Sequence, residues 1–268
     1  RRNKGAMVGL VVFVLIVLSA LLAPFLAPYD PLLINPVDYL QAPGQAHLFG
    51  TDSYGRDVFS RALYGGRVSL RVGLLSVVIA MVLGTVLGLI AGYAGGVLDN
   101  IIMRFVDMLL AFPGLLLALG VVALLGPGLD NVIIAVGISG LTGFARLVRG
   151  SVLSLREEVC VEAARSIGCP DWKIMYRHIL PNTLGPIIVM STLDIAWAIL
   201  TASSLSFLGL GAQPPTPEWG MMLSEGRALL REAPWQTMFP GMLIMITVLS
   251  VNLFGDGLRD ALDPRMYG

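Results

Sequence analysis

Charge is what this sequence has least of. Only 13% of its 268 residues are Asp, Glu, Lys or Arg, against about 25% in an ordinary soluble domain, and so few cannot make a water-soluble surface for a chain of this length. Disorder is excluded as well. Unfolded chains combine low hydrophobicity with high net charge, whereas here 56% of residues are hydrophobic and 18 basic side chains balance 18 acidic ones. Zero net charge also leaves no basic footprint for nucleic acid. The two cysteines, Cys160 and Cys169, are too few for a disulfide framework and fit no zinc-finger spacing. The two lysines, Lys4 after Asn3 and Lys173 after Trp172, stand in no Gly-Lys-Ser/Thr sequence, so no P-loop is present to hold ATP phosphates. The two histidines, His47 and His178, form no H-E-x-x-H pair of a zinc hydrolase. Glycine, at 31 residues, is abundant, as close helix contacts in lipid favour.

What the chain does have is long apolar runs. A transmembrane helix takes ~20 largely apolar residues, and six stretches qualify: 7–26, 72–91, 101–125, 129–145, 184–208 and 239–253, the last leading to a Gly255-Asp256-Gly257 exit. The expected fold is therefore an all-α membrane protein with six transmembrane helices and a cytoplasmic helix–turn–helix between the fourth and fifth. Residues 1–27 form the N-terminus and first span, 28–71 an outer loop, and 72–268 a five-span core that includes the loop 150–183. The first run is longer than the ~7–15 residues of a signal peptide and Pro24 and Pro28 follow it, so it is read as a retained span. Arg1, Arg2 and Lys4 place the N-terminus in the cytoplasm. Alternation then puts 28–71 and 209–238 outside and 146–183 and the C-terminus inside. Lys and Arg number 12 inside and 6 outside, and Arg56, Arg61, Arg67 and Arg71 are four of the six exceptions.

Several features inside the spans carry candidate roles. Gly84, Gly88, Gly92 and Gly96 recur every four residues, which places them on one helix face as a packing seam or a moving interface. Arg104 and Asp107, one turn apart, are expected to form a local ion pair. Asp194 lies near mid-bilayer, where an ionised carboxylate costs ~2.5–3.5 kcal/mol; it marks a pathway or intramembrane polar site, or else bonds to Ser191 or Thr192. Gly137-Ile138-Ser139-Gly140 fits the G-x-S-G pattern of rhomboid intramembrane proteases. A serine nucleophile needs a base within hydrogen-bond reach, and both histidines fall in loops, so Ser139 is read as a small packing residue.

The loop 150–183 is patterned. Ser154-Leu155-Arg156-Glu157 is a capping box, opening a helix through Val159, Ala163, Ala164 and Ile167. Gly168 suits the left-handed position that ends it. Pro170 opens a second helix, whose apolar face is Trp172, Met175, Tyr176, Ile179 and Leu180 and whose end is Pro181. With Arg165, Lys173 and Arg177 on it, this is either a docking knob or a segment lying on the membrane interface.

Glu162-Ala163-Ala164, then Gly168, and finally Leu180-Pro181 resemble the EAA loop of ATP-binding-cassette importer permeases. His47-Leu48-Phe49-Gly50-Thr51-Asp52, Gly55-Arg56-Asp57 and Ser60-Arg61 resemble its peptide and nickel branch, as do Ser206–Gly211, Pro214–Pro217, Trp219-Gly220, Gly255–Asp260 and Leu262-Asp263-Pro264. The resemblance covers essentially the whole chain. It implies a transport subunit without its own ATPase site, paired with a second homologous permease chain. Two separate ATPase chains would carry ATP and Mg, and a solute-binding protein would deliver substrate outside. It further implies that Glu162, Ala163, Ala164, Gly168, Leu180 and Pro181 couple to an ATPase, and it points to a bacterial or archaeal cytoplasmic membrane. The substrate it implies is a dipeptide or oligopeptide, with nickel or another small solute the alternative; the spans carry no cluster of His, Cys or carboxylates to hold a transition metal. A more distant alternative is an ion-coupled secondary transporter with Asp194 as its ion site, but such proteins often show repeated half-chains and none is visible here.

Overall fold

In an apolar solvent every backbone polar group must be satisfied within its own segment, which leaves helices as the simplest spanning element. The computed structural model describes residues 4–262; Arg1, Arg2 and the Asp263-Pro264 pair lie outside them. In chain order the helices are α1 (Lys4–Leu21), α2 (Ala23–Leu26), α3 (Val58–Ala94), α4 (Gly96–Leu110), α5 (Gly114–Leu125), α6 (Leu129–Leu155), α7 (Val159–Ser166), α8 (Asp171–Ile174), α9 (Leu180–Phe207), α10 (Trp219–Gly226) and α11 (Trp235–Leu262). A π-helical turn, Met175–Ile179, joins α8 to α9 without a break. Among the described residues the only β pairing is a single bridge between Thr51 and Asp57.

The glycine face of α3 sets the centre of the bundle. A Cβ at Gly84 would stand 2.5 Å from the Leu141 carbonyl oxygen, and one at Gly88 2.5 Å from that of Ala145; one at Gly92 would stand 2.8 Å from Val152 Cβ. The seam is real, but Gly96 is not part of it, since it opens α4 in a left-handed conformation with open space around it. Earlier on the same face Ser76 Oγ donates to the Ile133 carbonyl, 3.2 Å away, and Gly137 lies against Ile79. Rising numbers on α3 thus meet rising numbers on α6, so the two helices run parallel. Ser139 donates to its own helix at Val136, as befits a packing residue. Gly88→Leu should force the helices apart, lowering stability by about 1–3 kcal/mol, read as a fall in the thermal unfolding midpoint in detergent. Gly120→Leu is the control, because a Cβ there meets nothing within 4 Å.

Parallel packing has a topological consequence. If α3 and α6 cross in the same direction, the chain must return between them, and only α4 and α5 are available. This pair is bent by 93°. Pro113 cannot donate into a helical ladder and disfavours helix at the residue before it, which breaks the helix at Phe112. The straight third span expected over 101–125 is therefore a broken one, and neither piece, at about 22 and 18 Å, spans ~30 Å alone. Among the described residues five helices are long and apolar enough to cross by themselves, and this bent pair is the candidate sixth.

Other boundaries also move outward. Helix α3 starts at Val58, where Asp57 caps it by accepting from Ser60 N at 2.7 Å, so the stretch up to Arg71 read as loop is helix. The Ser154 capping box does not form. Helix α6 runs on to Leu155, and Ser154 Oγ bonds back to the Gly150 carbonyl. Helix α11 passes through Gly255-Asp256-Gly257 to Leu262; Gly255 packs on Leu193 of α9, a contact that holds the helix where local propensity would end it.

Helix α9 runs antiparallel to α6, since Gly140 faces Asp194 and Trp197 while Gly143 faces Met190. Helix α1 runs antiparallel to α11, with Gly9 against Ser250 and Ile16 beside Leu243. The loop 27–57 and the segment 209–234 consequently gather at one end of the bundle. The α7–α8 loop and both described chain ends lie at the other.

Candidate functional site

At the first end, the Arg-rich motif is a lock. Asp52 accepts from Arg56 Nε at 2.6 Å, and Arg61 NH2 donates to Glu225 Oε2 at 2.7 Å, with Arg56 NH2 3.2 Å from the same oxygen. Arg56 and Arg61 are buried, their charge met by Asp52 and Glu225. His47 Nδ1 lies 2.9 Å from Asp57 Oδ1 and its Nε2 3.6 Å from Asp38 Oδ2. Trp235 Nε1 donates to the Thr51 carbonyl at 3.0 Å and Trp219 Nε1 to that of Ala62 at 2.9 Å. Glu218 caps α10 by accepting from Gly220 N and Met221 N, and Ser69 Oγ donates to it at 2.9 Å. Burial pushes its carboxyl up from the ordinary range, against those hydrogen bonds, which act the other way. Glu218 lies 149 residues from Ser69 and Glu225 164 residues from Arg61, so no local sequence signal pairs them.

At the other end stands the α7–α8 loop. Gly168, with φ of +75°, closes α7 in a Schellman motif: Gly168 N donates to Arg165 O at 3.0 Å and Cys169 N to Ala164 O at 3.1 Å. Val161, Ala164, Ile174 and Ile179 are buried in the main core together with Val148 and Val152 of α6. Tyr93 Oη donates to Asp171 Oδ1 at 2.6 Å, tying α8 to the end of α3. Behind the loop, Arg149 forks onto Asp99 at 2.6 and 2.7 Å. Arg146 takes Asp107 at 2.6 Å, in place of the local Arg104–Asp107 pair expected from spacing.

The apolar face expected of the second helix is split. Trp172 and Tyr176 are 66% and 70% exposed, whereas Ile174 and Ile179 are fully buried. The π turn accompanies this: its i→i+5 hydrogen bonds widen the turn, and across it Ile174 and Ile179 lie toward the core while Trp172 and Tyr176 face out. The same turn carries the chain through Pro181, which does not end the helix. A residue without an N–H costs least where the regular ladder is already interrupted, and Asn182 Nδ2 donates to the His178 carbonyl beside it at 2.6 Å. Val159 and Ile167, 77% and 85% exposed, extend the outward apolar surface. Of the residues named from sequence, Glu162, Ala163, Gly168 and Pro181 are exposed on this knob, Leu180 is half-buried, and Ala164 is an anchor in the core.

Asp194 is half-buried at mid-span between α9 and α6, with Oδ2 3.7 Å from where a Cβ on Gly140 would be. Ser191 and Thr192 do not bond it; both donate to their own helix at Ile187 and Ile188. Among the described residues no group of His, Cys, Asp or Glu is arranged to hold a metal ion.

Five or six candidate crossings among the described residues, a locked loop at one end and a helical knob anchored in the core at the other define a multi-pass α-helical membrane protein. Residues 84–268 match the family described as "Binding-protein-dependent transport system inner membrane component", and residues 1–43 match the "N-terminal TM domain of oligopeptide transport permease C". The chain is 51% identical over 266 residues to the dipeptide transport system permease protein DppC of Alkalihalophilus pseudofirmus, covering 99% of this chain and 88% of that one. It is 53% identical over 269 residues to the glutathione transport system permease protein GsiD of Shigella flexneri serotype 5b, covering 100% and 89%. A solved structure titled as inward-facing conformations of the MetNI methionine ABC transporter superposes with a TM-score of 0.60 at 16% identity, covering 76% of this chain and 96% of that one, a likeness of fold. The chain belongs to the binding-protein-dependent inner membrane components, the permease subunits of ATP-binding-cassette importers, and to their dipeptide and oligopeptide branch.

Proposed function

We propose that this chain forms, with a second homologous permease chain, the pathway of a peptide importer in the cytoplasmic membrane. Its energy comes from two ATPase subunits that carry ATP and Mg, and an extracytoplasmic solute-binding protein feeds it. Both termini and the α7–α8 knob face the cytoplasm. The observation that carries the reading is the knob itself. It exposes Val159, Ile167, Trp172 and Tyr176 while Ile174 and Ile179 root it in the bundle core, so a push on it moves α9 and α6 rather than a loose loop. Glu162, Ala163, Gly168, Leu180 and Pro181 present this surface to the ATPase and Ala164 anchors it. Asp194, the mid-span carboxylate without a partner among the described residues, faces the pathway. The locked loop 27–57 and the 209–234 segment form the rim that receives the binding protein.

The test is uptake of labelled peptide into vesicles holding this chain with its partner permease and ATPases. Uptake should require both ATP and the loaded binding protein. Uptake driven by an ion gradient without ATP would overturn the proposal in favour of secondary transport, and uptake of nickel alone would overturn the substrate.

A further inference from the structure

The fold divides the four outer arginines into two pairs with different fates. Arg56 and Arg61 are buried against Asp52 and Glu225. Arg67 and Arg71 are exposed, one turn apart on α3, and neither has an acidic partner among the described residues. The Arg67 guanidinium lies 6.0 Å from the centre of the Tyr64 ring. All three side chains border a cleft of about 1020 Å³ between α1 and α3, as large as the largest ordinary small-ligand pockets, which run to about 1,000 Å³. The rest of the lining is largely apolar: Phe13, Val17 and Leu21 from α1, Leu74 and Leu75 from α3, with Leu129 and Ile195 from α6 and α9.

Position decides what fits. The uncharged run of α3 begins at Val72, so Arg71 stands at the charged edge of that run, and Arg67 lies one turn, about 6 Å, before it. Paired cations at that edge, beside an apolar trench, complement an amphiphile with an anionic head and a hydrocarbon tail. Two guanidinium forks are the usual partners of a phosphodiester. A peptide fits this trench poorly. Its amide groups need hydrogen bonds once they leave water, and Tyr64 and Thr216 are the only uncharged polar side chains on the lining. An acyl chain makes no such demand.

We propose that this cleft binds an anionic glycerophospholipid, its phosphate held between Arg67 and Arg71 and an acyl chain laid along the apolar walls. Charge supplies the selectivity, since each Lys or Arg close to an anionic headgroup adds to the attraction. The site needs only that the chain spans a bilayer, so it stands or falls apart from the choice of transported substrate.

The test is native mass spectrometry of the full chain purified in detergent and titrated with phosphatidylglycerol or phosphatidylcholine of identical acyl chains. The wild type should retain phosphatidylglycerol at least about tenfold more tightly. The double variant Arg67→Gln/Arg71→Gln should lose that preference, whereas Arg67→Lys/Arg71→Lys keeps part of it. Leu74→Trp, which narrows the trench and leaves both cations in place, should weaken both lipids alike. An unchanged preference in the Gln double variant overturns the proposal. A parallel co-purification of this chain with the second permease chain gives the other overturning result: loss of that partner in the Gln double variant with lipid selectivity unchanged, which assigns the arginines to a protein contact.

Discussion

Arg61→Ala should destabilise the protein by about 3–5 kcal/mol, the cost of breaking one side of a buried charge network. Arg61 is 1% exposed and reaches two acids, Glu225 Oε2 at 2.7 Å and Asp52 Oδ2 at 3.6 Å. Removing the guanidinium leaves Glu225 with Arg56 alone, at 3.2 Å. Because Glu225 lies on α10 and Asp52 in the 27–57 loop, the damage should concentrate at that end of the bundle. The measurement is the thermal unfolding midpoint in detergent, together with protease cleavage within 27–57, which should rise in the variant. The double change Arg61→Met/Glu225→Met removes both charges and fills similar volume, and should recover much of the loss. Equal stability of Arg61→Ala and the wild type would show that the network does not hold the loop.

Gly168→Val should leave the crossings in the membrane and abolish hydrolysis stimulated by the loaded binding protein. Nothing lies within 4 Å of a Cβ placed at Gly168, so the penalty is purely conformational. A β-branched residue at φ of +75° costs about 1–3 kcal/mol, and the Schellman closure relaxes instead, turning α7 away from its seat on Ile174 and Val152. Asparagine tolerates the left-handed region, so Gly168→Asn should behave nearly as the wild type. The paired result separates a requirement for backbone shape from a requirement for a bare surface. It is read by co-purification of the ATPase subunits with each variant, then by hydrolysis with and without loaded binding protein. Normal assembly and stimulation in Gly168→Val would remove this loop from the coupling route.

The sequence by itself determined the elements whose cause is local. Six apolar runs, each long enough to need internally bonded backbone, dictate a helical membrane bundle. A spacing of four aligns Gly84, Gly88 and Gly92 on one face whatever they meet, and Gly168 followed by Pro170 stops α7 where the structure stops it. Tertiary structure decided everything that depends on partners distant in sequence. Arg61 finds its counter-ion 164 residues away, and Asp107 takes Arg146, 39 residues on, over Arg104 one turn before it. Helix ends follow the same logic. The signals at Ser154, Pro181 and Gly255-Asp256-Gly257 each favour a stop by a small local margin, and burial against neighbouring helices outweighs it. Only packing shows that α3 and α6 run parallel, which obliges the bent α4–α5 pair to carry the chain back across the membrane. The outward turn of Trp172 and Tyr176 accompanies a single π turn, across which the core buries Ile174 and Ile179 together, a placement that no periodicity of 3.6 reveals.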